Sequence, residues 1–371
     1  MIRLENLTKH FGPPHNPFVA VDNVSLDLPT GEICVLLGPS GCGKTTTMKM
    51  INRLIQPTSG KVFIDGRDTG AVDPIELRRS IGYVIQQIGL FPNKTVEENI
   101  CVVPDLLGWD RRKSRTRAKE LLELVGLQPD LFLRRYPKEL SGGQQQRVGV
   151  LRALAADPPV MLMDEPFGAI DPINREVIQE EFLKMQKTIR KTIIFVSHDL
   201  DEAVKMADKI AIFRGGKLEQ YAAPDDLLAR PANGFIEDFL GSDRALKRLR
   251  LISVRDAMET DFITVRSSDP VASALERMRS SRSAAAFVLD ADGAPQSLLS
   301  AQAADARSGA VGDHAEPVKG AVPTTGDLRH AVSLMFAHDM PLLPCVDEGG
   351  KMAGVMSYRS IVHNLGHGGT V

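Results

Sequence analysis

The stretch GPSGCGKTT, from Gly38 to Thr46, fits the phosphate-binding pattern G-x-x-x-x-G-K-[ST]. Its glycines allow backbone N–H groups to approach phosphate oxygens without a Cβ in the way, and the helix that follows adds further unpaired N–H groups. Lys44 can reach the β- and γ-phosphates, and the hydroxyl of Thr45 suits Mg²⁺. A strand over Glu32–Gly38 and a helix over Thr46–Leu54 supply the order that the pattern requires. We therefore predict a nucleoside-triphosphate site with these contacts: Gly38, Pro39, Ser40, Gly41, Cys42, Gly43, Lys44, Thr45 and Thr46.

Two acidic residues end a second hydrophobic strand, VMLMDE, over Val160–Glu165. Asp164 is placed to hold Mg²⁺, directly or through water. Glu165 follows immediately, where it can orient or deprotonate a water that attacks the γ-phosphate. A third buried strand, Thr192–Asp199, ends in His198, for which we predict contact with the same phosphate in preference to a purely structural role.

The run LSGGQQQR, at Leu140–Arg147, is a second place where glycines leave backbone N–H groups open to an anion. Ser141 suits the N-cap of the helix that begins there. A Ser-Gly-Gly helix start is a weak signal alone. Its position upstream of the strand that ends in two acids makes it a strong one.

Composition excludes several classes of protein. The 371 residues are 43% hydrophobic, which suffices for the cores of two or three domains, and the net charge is −2. No overall field favours nucleic acid, so no nucleic-acid partner is expected. The N-terminus lacks a secretory pattern, and no apolar run approaches the ~18 residues of a membrane-spanning helix. Four cysteines without paired or metal-ligand spacing favour reduced thiols in a cytosolic protein.

These motifs together resemble the ATP-binding cassette of ABC transporters over residues 1 to about 240, because they stand in one order: GPSGCGKT, a glutamine after a strand, LSGGQ, VMLMDE and a strand-terminal histidine. The resemblance implies an α/β fold, an ABC-type P-loop NTPase domain with a RecA-like core plus helical and antiparallel β subdomains. It also implies a homodimer with two ATP molecules sandwiched between the subunits. The signature of one subunit, Ser141, Gly142, Gly143 and Gln144, would close over the ATP of the other.

The same resemblance gives roles to single residues. Gln86 is implied to be the lid glutamine that couples Mg²⁺ to the membrane partner, and Asp171 lies in the D-loop, here GAID where SALD is commoner. Phe11 takes the adenine-stacking position, although the residue by itself leaves a place in a satellite core equally open. The implied cofactors are ATP and Mg²⁺, with catalytic residues Glu165, His198, Lys44 and Gln86 and metal ligands Thr45, Gln86 and Asp164.

The last third of the chain repeats itself without a gap at a shift of 57 residues, as in the pairs Val265 and Val322, Met278 and Met335, and Ser300 and Ser357. Each copy is predicted to run helix, strand, helix, strand, turn, strand and final helix. Two such copies resemble a tandem CBS module, a regulatory pair that often binds adenine nucleotides. The family's ribose-binding aspartate is replaced by Ala303 and Ser360, so we expect a sensing or dimerising role without a firm ligand.

A cassette followed by two CBS copies resembles the ATPase subunit of glycine betaine, choline and carnitine importers. The predicted domains are a cassette at 1–240, a linker at 241–251, and repeats at 252–310 and 311–371. The resemblance implies ATP-driven uptake through a separate membrane permease, served by a substrate-binding protein, with this chain at the cytoplasmic face of the membrane. Two alternatives stay open: a cassette for another solute, such as an amino acid or a sugar, and a soluble regulator without transport.

Five cations lie at the junction ahead of the repeat, at Arg244, Lys247, Arg248, Arg250 and Arg255. One hypothesis is that they bind an anionic membrane surface at low salt and release it as screening increases. The alternative is an ordinary solvated helix face.

Overall fold

The computed structural model describes residues 2–13, 15–86, 89–168, 170–305 and 307–366. The chain divides into two compact units, one of residues 1–227 and 231–240 and the other of residues 228–230 and 241–371. The last five residues of the predicted second repeat, 367–371, lie outside the described residues. Within the described part of the chain, no helix is long and apolar enough to cross a membrane.

The elements up to residue 240 form a mixed α/β arrangement. The strands are β1 (Ile2–Phe11), β2 (Phe18–Leu28), β3 (Ile33–Leu37), β4 (Ser59–Ile64), β5 (Arg67–Asp68), β6 (Ile81–Val84), β7 (Val160–Asp164), β8 (Thr192–Val196), β9 (Lys209–Arg214) and β10 (Lys217–Ala222). The helices are α1 (Lys44–Ile51), α2 (Pro74–Ser80), α3 (Val96–Leu106), α4 (Arg111–Leu124), α5 (Pro129–Phe132), α6 (Gly142–Leu154), α7 (Pro172–Ile189), α8 (Leu200–Met206), α9 (Pro224–Ala229) and α10 (Gly234–Leu240).

A six-stranded sheet in the order β10-β9-β3-β8-β7-β6 forms the centre of the first unit. Every neighbouring pair from β9 to β6 is parallel, and only β10 runs antiparallel to its neighbour. All residues of β3, β7 and β8 are buried. Their continuous apolar sequences are what a parallel sheet covered on both faces requires. Because β3, β8 and β7 are adjacent and parallel, the segments that follow them meet at one edge of the sheet.

A second sheet of the first unit, in the order β2-β1-β4-β5, is antiparallel. In its first hairpin Phe11 at the end of β1 stands opposite Phe18 at the start of β2. The two aromatic rings are therefore held at the same end of the sheet.

Helices α3 to α6 form the segment between β6 and β7. Helix α3 was not predicted from the sequence. A capping box starts this helix: Thr95 Oγ1 accepts from Glu98 N–H, and the Glu98 carboxylate accepts from Thr95 N–H. Two orphan N–H groups are satisfied reciprocally, which fixes the start of the helix.

The second unit repeats one order of elements. Its helices are α11 (Arg244–Arg248), α12 (Val254–Ala257), α13 (Val271–Ser280), α14 (Ala301–Ala304), α15 (Leu328–His338) and α16 (Tyr358–Gly366). Its strands are β11 (Ile263–Val265), β12 (Ala285–Leu289), β13 (Pro295–Ser300), β14 (Glu316–Pro317), β15 (Val322–Pro323), β16 (Leu342–Val346) and β17 (Met352–Ser357). They form one sheet in the order β11-β12-β13-β14 and another in the order β15-β16-β17.

Each of the two hydrophobic cores of this unit contains residues from the leading segment of the other copy. Val254 and Ala257, at the head of the first copy, pack in the core formed by Val322, Leu328 and Met356 of the second copy. Val311, at the head of the second copy, packs in the core that the first copy forms over residues 263–304. Each copy thus completes the core of the other, which ties the two repeats into one folding unit.

Some of the cations at the junction ahead of the repeat form contacts within the second unit. Arg248 is 6% exposed and donates to the carbonyl oxygen of Leu365 at 2.7 Å. Lys247 forms an ion pair with Asp243 one helical turn away. The hypothesis of five cations on a membrane surface is therefore wrong for Arg248, because its guanidinium holds the last helix in place.

Candidate nucleotide site

The phosphate-binding loop has a backbone that only glycine can adopt at two of its positions. Gly38 has φ +144°, and a Cβ there would stand 2.3 Å from the carbonyl oxygen of Phe213. Gly43 has φ +103°, and its Cβ would stand 2.4 Å from the carbonyl oxygen of Ala20. The loop is thus pressed against β9 and β2, and neither contact leaves room for a side chain.

Lys44 is the first residue of α1 and is 7% exposed. Its Nζ donates to the carbonyl oxygens of Gly38 at 2.6 Å and Pro39 at 2.9 Å, and lies 3.6 Å from the Sγ of Cys42. A buried ammonium needs several acceptors, and the loop supplies them from its own backbone. The charge is therefore held inside the concave face of the loop, where an anion would approach it.

Thr45 and Asp164 bring two oxygen ligands together although 119 residues separate them. The Thr45 hydroxyl donates to Asp164 Oδ1 at 3.2 Å. Burial is the largest influence on the Asp164 carboxyl and raises its pKa, while the hydrogen bond from Thr45 opposes that shift. A buried carboxylate next to a hydroxyl is a donor set that suits a hard cation, because a cation offsets the cost of burying the negative charge.

Glu165 lies at the centre of the remaining polar residues. Its Oε2 accepts from Gln86 Nε2 at 3.0 Å, and its Oε1 lies 3.6 Å from His198 Nδ1. Its backbone N–H donates to the carbonyl oxygen of Val196 at the end of β8. The residue has φ +45°, a left-handed conformation that is uncommon for glutamate.

The concave surface beside the loop encloses a volume of about 590 Å³. Its lining residues include Ser40–Thr46, Glu165, Val196, His198 and two aromatic residues. The aromatic residues are Phe11 and Phe18, which are 39% and 64% exposed. Sequence reasoning found Phe11 and missed Phe18. Register across the β1–β2 hairpin was the available signal, since it places Phe18 directly opposite Phe11. Two exposed rings beside a phosphate-binding loop suit a flat heterocyclic base.

The signature residues line a different concave surface. Ser141, Gly142, Gly143 and Gln144 share a surface of about 550 Å³ with Asp171. The Ser141 hydroxyl accepts from Gln144 N–H at 3.3 Å, and the Gln144 amide oxygen accepts from Ser141 N–H at 3.0 Å. The Asp171 carboxylate accepts from the backbone and the side chain of Asn174. One chain therefore has a phosphate-binding surface and a signature surface as two separate sites.

Fold and site together define a class of protein. The family model described as ABC transporter matches residues 21–168, and the model described as CBS domain matches residues 254–302. A dimeric ATP-binding cassette, MJ0796, in a post-hydrolysis state bound to ADP and Pi, superposes with a TM-score of 0.53 at 36% identity. The match covers 60% of this chain and 99% of that one. The α/β cassette fold and the CBS domain predicted from sequence are confirmed.

Relatives that match over almost their whole length define the protein family of this chain. The osmoprotectant import ATP-binding protein OsmV of Salmonella typhimurium is 53% identical over 100% of this chain and 97% of its own length. The glycine betaine/carnitine/choline transport ATP-binding protein OpuCA of Bacillus subtilis is 46% identical over 98% of this chain and 95% of its own. The chain belongs to the family of ABC transporter ATP-binding subunits with a CBS domain, and it is a nucleotide-binding ATPase.

Substitution of Gly38 tests whether the loop geometry carries nucleotide binding. We expect Gly38→Ala to weaken ATP binding at least about tenfold, because the Cβ meets backbone of β9 and the loop must shift. Gly66→Ala is the matched control: φ is +76° and nothing lies within 4 Å of its Cβ, so it costs only about 1–2 kcal/mol of backbone strain. Titration with a fluorescent nucleotide measures both. Equal affinity in the Gly38 variant and the wild type would contradict the contact.

Proposed function

We propose that this chain is the ATP-hydrolysing subunit of an importer for osmoprotectants of the glycine betaine, choline and carnitine type. The observation that carries the proposal is the position of Glu165 beside the phosphate-binding loop. Its carboxylate accepts a hydrogen bond from Gln86, and its Oε1 lies 3.6 Å from His198 Nδ1. The relatives that support the solute class are similar over their whole length, including the C-terminal unit.

The phosphate-binding loop is proposed to hold ATP, with the adenine between Phe11 and Phe18 and the phosphates at the backbone of residues 38–46. Lys44 would exchange its carbonyl partners for β- and γ-phosphate oxygens. Hydrogen-bond donors and a cation aimed at the terminal phosphate stabilise the charge that develops there during hydrolysis.

Thr45, Asp164 and Gln86 would hold Mg²⁺. The fit rests on the hydroxyl–carboxylate pair and on the burial that raises the pKa of Asp164. When bound, Mg²⁺ neutralises charge on the phosphates and orients them. The residues of the chain then act on water and phosphate: Glu165 accepts a proton from the attacking water, and His198 hydrogen-bonds a γ-phosphate oxygen.

Two copies are proposed to complete each site. The signature surface of one chain, with Ser141, Gly142, Gly143 and Gln144, would close over ATP bound to the loop of its partner, next to Asp171. The separation of the two surfaces within one chain supports this, as does the dimeric form of the similar cassette MJ0796. Such a two-fold contact places two nucleotides at one interface.

The partners follow from the class of the relatives, which are ATP-binding components of transport systems. We propose membrane permease subunits at the cytoplasmic face of the membrane, with a substrate-binding protein that delivers the solute to the permease. Gln86 is bonded to Glu165 and precedes the segment that leads into α3. Movement of Gln86 on ATP binding would therefore be transmitted to this segment and to α3, where we propose that the permease binds.

Replacement of Glu165 separates binding from hydrolysis. We expect Glu165→Gln to bind MgATP with nearly unchanged affinity, to lose turnover by about 100-fold or more, and to accumulate as an ATP-bound dimer. Lys44→Ala should instead lose both affinity and turnover, because it contacts the nucleotide itself. Size-exclusion chromatography with ATP and a phosphate-release assay report the two properties. Normal turnover in Glu165→Gln would show that another group accepts the proton.

The solute is tested in the assembled transporter. With the permease and binding protein that accompany this chain in proteoliposomes, we expect ATP-dependent uptake of at least one quaternary amine from a panel of glycine betaine, choline and carnitine. The Glu165→Gln assembly is the matched control and should show none. Uptake of an amino acid or a sugar, with none of the panel transported, would overturn the solute assignment and leave the ATPase assignment intact.

A further inference from the structure

We propose that Glu202 is a positioning residue that fixes the histidine-bearing loop to α7, so that the position of the D-loop at Asp171 sets the position of His198. This inference rests on the proposed function, because it assigns a way of regulating the same site. Glu202 lies in α8, outside both concave surfaces, and no motif in the sequence pointed to it.

Glu202 is a carboxylate 8% exposed that bridges two elements. Its Oε2 accepts a hydrogen bond from the hydroxyl of Ser197, the residue before His198. Its Oε1 accepts from the side-chain amide of Gln179 on α7 at 2.9 Å. Both partners are themselves buried, at 2% and 4% exposure. A buried acid with both oxygens satisfied by donors from two elements holds those elements at a fixed separation.

Two contacts nearer the surface also join α7 to α8 or to the loop that precedes it. Arg175 of α7 lies 3.7 Å from the carboxylate of Asp199, the residue after His198, and also donates to the carbonyl oxygen of Ile170, beside Asp171. Lys205 of α8 donates to the carbonyl oxygen of Glu176 on α7. Helices α7 and α8 are therefore joined by the buried bridge of Glu202 and by two contacts nearer the surface.

The consequence concerns where His198 stands. Ser197 and Asp199 flank it: Ser197 is held by Glu202, which in turn contacts α7 through Gln179, and Asp199 lies beside Arg175 of α7. The side chain of His198 is itself 64% exposed. Asp171 is the N-cap of α7. A displacement of the D-loop when two copies meet would thus be carried by α7 and Glu202 to the loop that bears His198. Shifts of about 1 Å at a catalytic group can cost on the order of 100-fold in rate.

The test removes the bridge without removing stability. Replacing both partners of a buried hydrogen bond by apolar residues of similar shape is nearly neutral for folding, so we use Glu202→Leu together with Gln179→Leu in the full chain. The Ser197 hydroxyl, which loses its carboxylate acceptor, still accepts from Asp199 N–H at 3.0 Å and lies 3.5 Å from the Asp199 carbonyl oxygen. We expect kcat for ATP hydrolysis to fall on the order of 10- to 100-fold. The KM for ATP should stay within about twofold, since the phosphate-binding loop is untouched, and Tm should stay within about 3 °C.

Two further variants serve as controls. Glu202→Gln should retain most of the turnover, because its amide oxygen still accepts from Ser197 and its NH₂ can donate to Gln179 after that amide flips. Asp201→Asn, an exposed acid on the same helix, should behave as the wild type.

Normal kcat in the double leucine variant would overturn the proposal, and so would a fall in Tm that accounts for the whole loss of activity. Equal loss in Glu202→Gln would also contradict it, because the bridge survives that change. His198→Ala, measured in parallel, separates the two claims. Full activity there would contradict the proposed role of His198, whereas normal turnover in the leucine pair refutes only the role of Glu202.

Discussion

The active site depends on the parallel pairing of β3, β8 and β7. Their register places Leu36 beside Val196 and Met163 beside Phe195, so the three strands end together at one edge of the sheet. The phosphate-binding loop, Glu165 and His198 each follow one of these strands directly. The side chains of the candidate nucleotide site are thus brought together by backbone hydrogen bonds between buried strands, and little depends on long loops.

The same constraint explains how far the sequence could predict the structure. Continuous apolar strands and glycine patterns are local signals, so the loop at Gly38–Thr46, Asp164, Glu165 and His198 could be proposed as site residues from their own neighbours. The orientation of Glu165 could not be predicted in this way. It depends on a left-handed backbone and on Gln86, a residue 79 positions away that is bonded to it.

Most of the features that the sequence did not predict depend on tertiary contacts. Helix α3 had a detectable capping box, Thr95 with Glu98, and was missed because the segment around its start mixes apolar residues with turn formers. Phe18 required the strand register, and the role of Arg248 required the position of a carbonyl 117 residues away. A 57-residue repeat predicts two similar units, but the exchange of leading segments between their cores depends on how the copies pack.

Within one chain, the phosphate-binding surface and the signature surface are separate. Because of this separation, the proposed hydrolysis requires a second copy of the chain. The elements between the two surfaces would then connect one site to the other. Helix α7 begins at the signature surface with Asp171, and its side carries the contacts to the loop of His198. Under the proposal, the timing of hydrolysis depends on these buried hydrogen bonds.

The most direct test of the account mixes two inactive chains. Ser141→Arg removes the signature function and leaves the phosphate-binding loop intact, whereas Lys44→Ala does the reverse. If each site is built from the loop of one chain and the signature of the other, a mixed dimer contains one intact site, and ATPase activity should rise well above the sum of the separate variants. Mixtures that form dimers and stay as inactive as the separate variants would show that each chain hydrolyses ATP by itself.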